Sequence, residues 1–554
     1  MPLQFAQHAA EAYRFPLTIR HLLDSVLSTS ADQQIVYRDQ SAYTYREFVG
    51  RVGRLASMLA RLGVSQGDTV AMMDWDSHRY LEAFFAVPMM GAVLQTVNVR
   101  MTSPQIAYTL QRTRASALIV HRDFHELAGA ILPLLPEVRT VVTIDDGAST
   151  DVPDWAQGEY EELSASADPA FAFEDFDENA LATTFFTTGT TGNPKGVHFT
   201  HRQLVLQALS ATGPFGSTRH GHAFGHGDVY MPLTPMFHVH AWGMPYVATM
   251  LGLKQVYPGR LDPDLVCRLR RDHGVTFSHC VPTIVQMIMQ AADAAGIDLS
   301  GWTMIIGGAS LSRALYEEGH RRGMSLFSSF GMSETGPLVA VARPRLTSLG
   351  NGEAVAGDLT AAGVPAPLVS ARVVDDAMND VPRDGTTRGE LVLRSPWLTS
   401  CYVGDPVASD ALWRGGWLHT QDIATLDADG YITIRDRLKD VIKTGGEWLD
   451  SIHLEQLVAT AEGVAEAAVI AAPDERWGER PLAVVVARPG SAVTLEAINA
   501  PIELAIEQGA MSRYGRIERF ESVKRLPRTS VGKIDKKELR ALFAGAARPA
   551  LPPP

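Results

Sequence analysis

The segment TTGTTGNPKGV, Thr187 to Val197, packs three glycines, four threonines and one lysine directly after the apolar run LATTFF. Glycine lets a backbone fold tightly enough for its N–H groups to converge on an anion. Around Gly189 and Gly192, the hydroxyls of Thr187, Thr188, Thr190 and Thr191 add donors and oxygen ligands for Mg²⁺, and Lys195 adds a mobile positive charge. The string is not a Walker A loop, because its G-x-x-x-x-G-K-[ST] spacing is missing. A flexible surface loop would need no such ordered repetition, so a phosphate cradle is the stronger reading.

Other segments carry chemistry further along. FGMSETG offers a flat ring (Phe330), a tight turn (Gly331), a hydroxyl (Ser333) and a carboxylate (Glu334) able to hold a hard cation. IGGAS is a glycine turn containing Gly308 and Ala309, and GWLHTQD ends on Asp422. TPMFHVHAWGMPY carries His238 and Trp242; composition alone would make His238 and His240 polar residues of a core strand. PRTSVGKIDKKELR carries Lys533, which out of context is one of several lysines in a solvated segment.

In this order, these segments resemble the adenylate-forming superfamily of acyl-CoA synthetases, peptide-synthetase adenylation domains and firefly-type luciferases. The likeness covers nearly the whole chain. It implies ATP, Mg²⁺ and coenzyme A as reactants, with Mg²⁺ held by Thr187 and Glu334. It implies adenine against Phe330 and the Gly308–Ala309 turn, and ribose hydroxyls on Asp422 and Arg437. Lys533 would bridge carboxylate and α-phosphate, where a placed cation lowers the barrier as charge builds. Lys439 falls at the family's hinge. Lys443, Gly445, Gly446 and Trp448 (KTGGEW) fall in the loop that lines the thiolation tunnel after domain rotation. His238 would sit at the carboxylate end of the acyl pocket, with Gly308 and Trp242 lining and gating it. The FHVxAWGxPY block is most similar to medium-chain and 3-methylmercaptopropionate CoA ligases, which implies a short or medium aliphatic acid, thioether acids included. Three departures stand out: Phe330 for Tyr, Ser333 for Thr and Gln421 for Gly. The first two keep a flat face and a hydroxyl. Rival readings are an adenylating enzyme that loads a carrier-protein thiol, a luciferase-like oxygenase and an inactive homologue. The last should have lost Glu334 or Lys533. No nucleophile elbow marks a hydrolase.

The elements that must position these residues read as layered α/β architecture, with a large N-terminal domain and a small mobile α+β C-terminal one. The expected division is 1–436 and 437–554. Thr44 and Glu47 have capping-box spacing, followed by Phe48, Val52, Leu55 and Leu59 on one helical face. Ser103–Pro104 predicts a second helix start with Ser103 as cap. Leu118–Val120, Val141–Ile144 and Met304–Ile306 read as buried strands, as do AAVIAAP and LAVVVA in the smaller domain. Asp145–Glu178, acidic and rich in small residues, reads as a surface connection.

The formal charge is 49 − 62 = −13 over 554 residues. That acidity argues against nucleic acid or an anionic membrane as the main partner. Three scattered cysteines (Cys267, Cys280, Cys401) suit a reducing, cytoplasmic setting. No run reaches the roughly 18 apolar residues of a membrane span. The histidine-dense HGHAFGHGD invites a transition-metal reading, but its composition is that of a loop and the resemblance implies no metal other than Mg²⁺. A homodimer is expected from the resemblance alone.

Overall fold

Thr44 caps the helix Tyr45–Arg61 through the predicted capping box. Thr44 N donates to Glu47 Oε2 (2.7 Å) and Glu47 N to Thr44 Oγ1 (3.3 Å). Phe48, Val52, Leu55 and Leu59 are all buried on that helix. The computed structural model describes residues 3–147, 151–187, 193–216, 224–336, 338–529 and 533–544. The second predicted helix runs Ser103–Thr113, but its cap is Thr102 rather than Ser103. Gln105 stands three residues after Thr102, and its side chain accepts from Thr102 N at 3.1 Å. Ser103 has no such partner at that spacing.

Leu118–Val120, Val141–Ile144 and Met304–Ile306 lie in the buried strands Ala117–His121, Thr140–Ile144 and Thr303–Ile306. The Asp145–Glu178 stretch is more than a connection. It holds the strand Gly158–Glu159 and the helix Tyr160–Ala165, and the fully buried Tyr160 donates its OH to Glu82 Oε2 at 2.6 Å. One large buried aromatic with a satisfied hydroxyl is enough to tie an acidic segment to the core.

A seven-stranded sheet places Val93–Thr96 beside Leu181–Thr187, which turns back antiparallel into Lys195–Thr200. A nine-stranded sheet runs Val229–Pro232, Phe277–Cys280, Thr303–Ile306 and Ser325–Gly331 in parallel register. Strands paired this way are buried on both sides and end together, so their following loops converge along one edge. One apolar cluster joins both sheets with the four-stranded antiparallel sheet that ends on Leu418–Leu426 and Ile432–Arg437. Two further clusters are built only from residues between Ile442 and Ala544, around a five-stranded sheet containing Val464–Asp474 and Gly478–Ala487. The small C-terminal domain therefore carries its own core. Among the described residues no helix is long and apolar enough to cross a membrane.

Candidate active site

A cavity of about 410 Å³ lies where the strand ends of the nine-stranded sheet meet the C-terminal domain; His238, Trp242, Gly308 and Lys533 are in its wall. The segment that delivers His238 and Trp242 is not the core strand that composition suggested. Val239, His240, Ala241 and Trp242 all have positive φ (51°, 53°, 47° and 59°), and Gly243 follows at 71°. A left-handed turn of L-residues costs roughly 1–2 kcal/mol per residue, so its surroundings must impose it. Several bonds do so. His240 Nε2 meets Thr183 Oγ1 at 2.6 Å, Thr96 Oγ1 donates to Phe237 O (3.0 Å), and the buried Asp76 accepts from Met236 N (2.6 Å). His240 is thus a core histidine, packed edge-on against Phe84 and Phe185. The turn sends His238 and Trp242 towards the cavity instead.

Trp242 is held from behind. Its ring lies 5.1 Å from that of His279, whose Nε2 meets Tyr230 OH (2.7 Å) and whose Nδ1 meets Thr234 Oγ1 (3.0 Å). A Cβ at Gly307 would fall 2.9 Å from the Trp242 ring. Burial, with Lys533 and Arg100 adding to it, lowers the pKa of His238 to about 3. His238 is therefore neutral at physiological pH, equipped to serve as a hydrogen-bonding group and not as a cation.

On the phosphate side, Thr187 pairs across the hairpin with Lys195. Thr188, Gly189, Thr190, Thr191 and Gly192 lie outside the described residues. Lys195 Nζ stands 4.6 Å over the Tyr402 ring, and Tyr402 OH donates to Glu334 Oε1 at 2.7 Å. Tyr402 thus turns the buried Glu334 carboxylate while its ring carries the lysine. An all-oxygen set of a carboxylate and a hydroxyl fits Mg²⁺ better than a soft metal. Phe330 and Gly331 close the strand Ser325–Gly331, and Ser333 and Glu334 follow in a single helical turn. Arg437 Nε approaches Asp422 Oδ1 at 3.6 Å, and burial raises the Asp422 pKa to about 6. Gln421 before it has φ 59°, the left-handed geometry that glycine takes without strain.

Lys533 comes from the other domain. A Cβ on Gly308 would lie 3.2 Å from Lys533 Cε and 3.3 Å from Val281 Cγ1, and the φ of +75° is one that glycine adopts without strain, so glycine leaves room for the lysine to pass. Burial first, and then Arg437, lowers the Lys533 pKa to about 8 against the pull of Asp422 and Glu334. Ala309 is exposed beside Gly308. Lys439 sits in the turn after Ile432–Arg437, where Asp440 N donates to Arg437 O (2.8 Å) and Asp440 pairs with Arg540 (2.7 Å). The KTGGEW segment is a hairpin of Ile442–Thr444 and Glu447–Leu449, turning on Gly445 and Gly446 with φ 57° and 85°. Lys443 Nζ lies 4.9 Å over the Trp448 ring. Arg388 donates to Trp448 O (2.6 Å) and to Asp450 Oδ2 (2.8 Å).

The structure thus gathers His238, Trp242, Gly308 and Lys533 around one cavity, and brings Glu334, Asp422 and Arg437 within electrostatic reach of Lys533. The KTGGEW hairpin is not among the cavity-lining residues. Sequence reading missed Tyr402, His279, Thr183, Asp76 and Arg100. Thr183 did leave a signal, since a threonine inside an apolar buried strand requires a partner. Tyr402 left none. His220 and His222 lie outside the described residues, and His226 is exposed.

Known proteins are similar to this chain over most of its length. The AMP-binding enzyme family matches residues 23–403, and the AMP-binding enzyme C-terminal domain matches 453–533. The chain belongs to the AMP-binding enzyme family. Among its relatives, a long-chain-fatty-acid–CoA ligase of Thermus thermophilus is 40% identical over 90% of each chain. A 3-methylmercaptopropionyl-CoA ligase of Ruegeria pomeroyi is 37% identical over 88% of this chain and 90% of its own. A medium-chain-fatty-acid–CoA ligase of Ectopseudomonas oleovorans is 32% identical over 90% of each. ATP-bound MatB from Rhodopseudomonas palustris shares the AMP-binding enzyme fold at TM-score 0.82, with 24% identity over 96% of this chain and 99% of that one.

Proposed function

We propose that this AMP-binding enzyme is an ATP-dependent carboxylic acid:CoA ligase that acts on short and medium aliphatic acids, thioether acids such as 3-methylmercaptopropionate among them. The observation that carries the reading is Lys533, delivered by the small domain against Gly308 into a cavity shared with His238 and Trp242. The named fatty-acid and 3-methylmercaptopropionyl-CoA ligases support the substrate class.

In the first half-reaction a carboxylate oxygen bonds to the α-phosphorus of ATP, and the bond to the bridging oxygen breaks to release pyrophosphate. No protein nucleophile is consumed, so positioning and charge stabilisation do the work. Neutral His238 orients the carboxylate, and Lys533 offsets charge between carboxylate and α-phosphate. Thr187 through Gly192 and Lys195 cradle the phosphates. Phe330 with Gly308 and Ala309 flanks adenine, Asp422 and Arg437 hold the ribose, and Glu334 and Thr187 would hold Mg²⁺, which would screen the phosphate charge. Low pKa and burial make docking of Lys533 unfavourable on its own, and the bound anions compensate, so closure is coupled to substrate binding.

In the second half-reaction the CoA sulfur bonds to the acyl carbon and AMP leaves with its oxygen. Rotation about Lys439 exchanges the Lys533 face for the Lys443–Trp448 hairpin. A division at 436/437, a homodimer and a cytoplasmic setting complete the reading.

The test is a product assay with MgATP, CoA and straight-chain, thioether and aromatic acids. Lys533→Ala should cut acyl-AMP formation by about 10²–10³, the usual cost of losing one placed charge, and leave thioester formation from supplied acyl-AMP largely intact. Acyl-AMP without thioester in the unaltered enzyme would move the acceptor from CoA to a carrier-protein thiol. Equal loss of both half-reactions in Lys533→Ala would overturn the division of labour.

A further inference from the structure

The cavity is not closed by the large domain alone. The helix Pro282–Ala295 buries Val285, Ile288, Met289 and Ala292 in the core. Its other face presents Thr283, Gln286, Met287 and Gln290 along the cavity wall, at helical spacings of three, four and seven. Met287 is 45% exposed there, a large apolar side chain at the cavity's rim. The small domain adds to the lining: Arg528 and Glu466 also line the cavity and pair with each other at 2.5 Å. Arg528 bridges to Ile534, the neighbour of Lys533, and Thr529 N donates to Lys533 O. One short piece of chain therefore brings both the Lys533 cation and the Arg528 rim to the cavity. Neither can dock without the other.

We propose that Met287 and Ile284, together with the Arg528–Glu466 pair lining the same cavity, form a distal acyl subsite that reads the far end of a straight aliphatic chain. It exists only while Lys533 is docked. The inference rests on the acid:CoA ligase reading and adds the place and moment of chain-length selection. The terminal methylenes of a medium-length acid would lie along the exposed thioether of Met287, under the methylene stem of Arg528. Its guanidinium stays paired and wet at the rim, so the chain meets apolar surface and not a bare charge. When the small domain rotates for thioester formation, Arg528 and Glu466 leave with Lys533 and the far wall disappears. Chain length is then selected during adenylation and is not selected again during thioester formation.

The experiment measures acid-dependent ATP–pyrophosphate exchange on the full-length enzyme, with straight-chain acids from acetate to palmitate. In parallel it measures thioester formation from the matching acyl adenylates. Met287→Glu, a substitution at an exposed helical position, should lower the medium-to-short ratio of kcat/KM for exchange by about tenfold. Met287→Trp should shift the optimum to shorter acids, and Arg528→Ala should flatten the length profile while Arg528→Lys, which keeps the stem, largely restores it. The acyl-adenylate reaction should show the same length dependence in all variants. Length profiles for exchange that run parallel in all four variants and the unaltered enzyme would overturn the proposal. A matching length-dependent loss starting from acyl adenylates would do so as well. Absence of exchange with every acid in the unaltered enzyme would instead remove the ligase reading, and the subsite with it.

Discussion

Two tight turns of this protein bring a tryptophan into play, and they solve the same backbone problem in opposite ways. The Val239–Trp242 turn uses four successive non-glycine residues at positive φ, and the KTGGEW hairpin uses Gly445 and Gly446. The first is buried, tied down by Thr183, Thr96 and Asp76. The second is exposed, with Trp448 at 40% and Arg388 gripping its backbone from outside. Strain persists where packing over-determines the chain and never needs to release it. The hairpin that is proposed to change partners takes its left-handed geometry from glycine, without strain, and is held by exposed contacts that can be broken.

The sharpest way to separate the two faces is pH. In the proposed reaction adenylation uses Lys533 in its charged form, and its lowered pKa means protonation is lost as pH rises through about 8. Asp422, raised to about 6, loses its negative charge, and with it the proposed ribose-accepting role, as pH falls below that value. The kcat/KM for acyl-AMP formation, which reports free enzyme, should therefore be bell-shaped and fall about tenfold per pH unit outside those limits. Thioester formation from acyl-AMP should lack the alkaline limb. An alkaline limb shared by both would erase the contrast.

Next in size is Thr183→Val. It strips His240 of its partner inside the core and should cost about 1–3 kcal/mol in denaturant unfolding, with a loss of acid binding as the turn relaxes. Unchanged unfolding would show the turn to be held elsewhere. Arg388→Ala should act more mildly and in one direction. With the Asp450 pair and the Trp448 contact gone, acyl-AMP formation should slow several-fold, while conversion of supplied acyl-AMP should hold or quicken. Slowing of both halves would mean that Arg388 supports folding rather than orientation. The smallest effect is expected at Gln421→Gly: relief of left-handed strain is opposed by the entropy of glycine in the unfolded chain, for a net change within about 1 kcal/mol. Thermal unfolding would measure it.

Many residues of the candidate site could be named before any coordinates. Glycine and threonine in TTGTTGNPKG and the carboxylate Glu334 are local patterns whose chemistry follows from residue type, whereas Asp422 and Lys533 stood out only through the family resemblance. Helix starts were also local, and missed by one residue only where Thr102 and Gln105 offered a better box. Tyr402 was illegible because its role lies in reaching Glu334, 68 residues away in the chain. His279 was illegible for the same reason, as the support behind Trp242.

The sequence by itself determined which groups are available: a glycine- and threonine-rich loop, a carboxylate beside a hydroxyl, an apolar segment carrying His238 and Trp242, and a lysine. Hydrogen-bonding capacity and charge are properties of side chains, and short segments express them without help. Only the tertiary structure decided that His238 is neutral, that His240 belongs to the core and that Lys533 meets Gly308 and shares its cavity with Arg528. Protonation, strain and shared walls depend on what surrounds a residue, and those surroundings are assembled from distant parts of the chain.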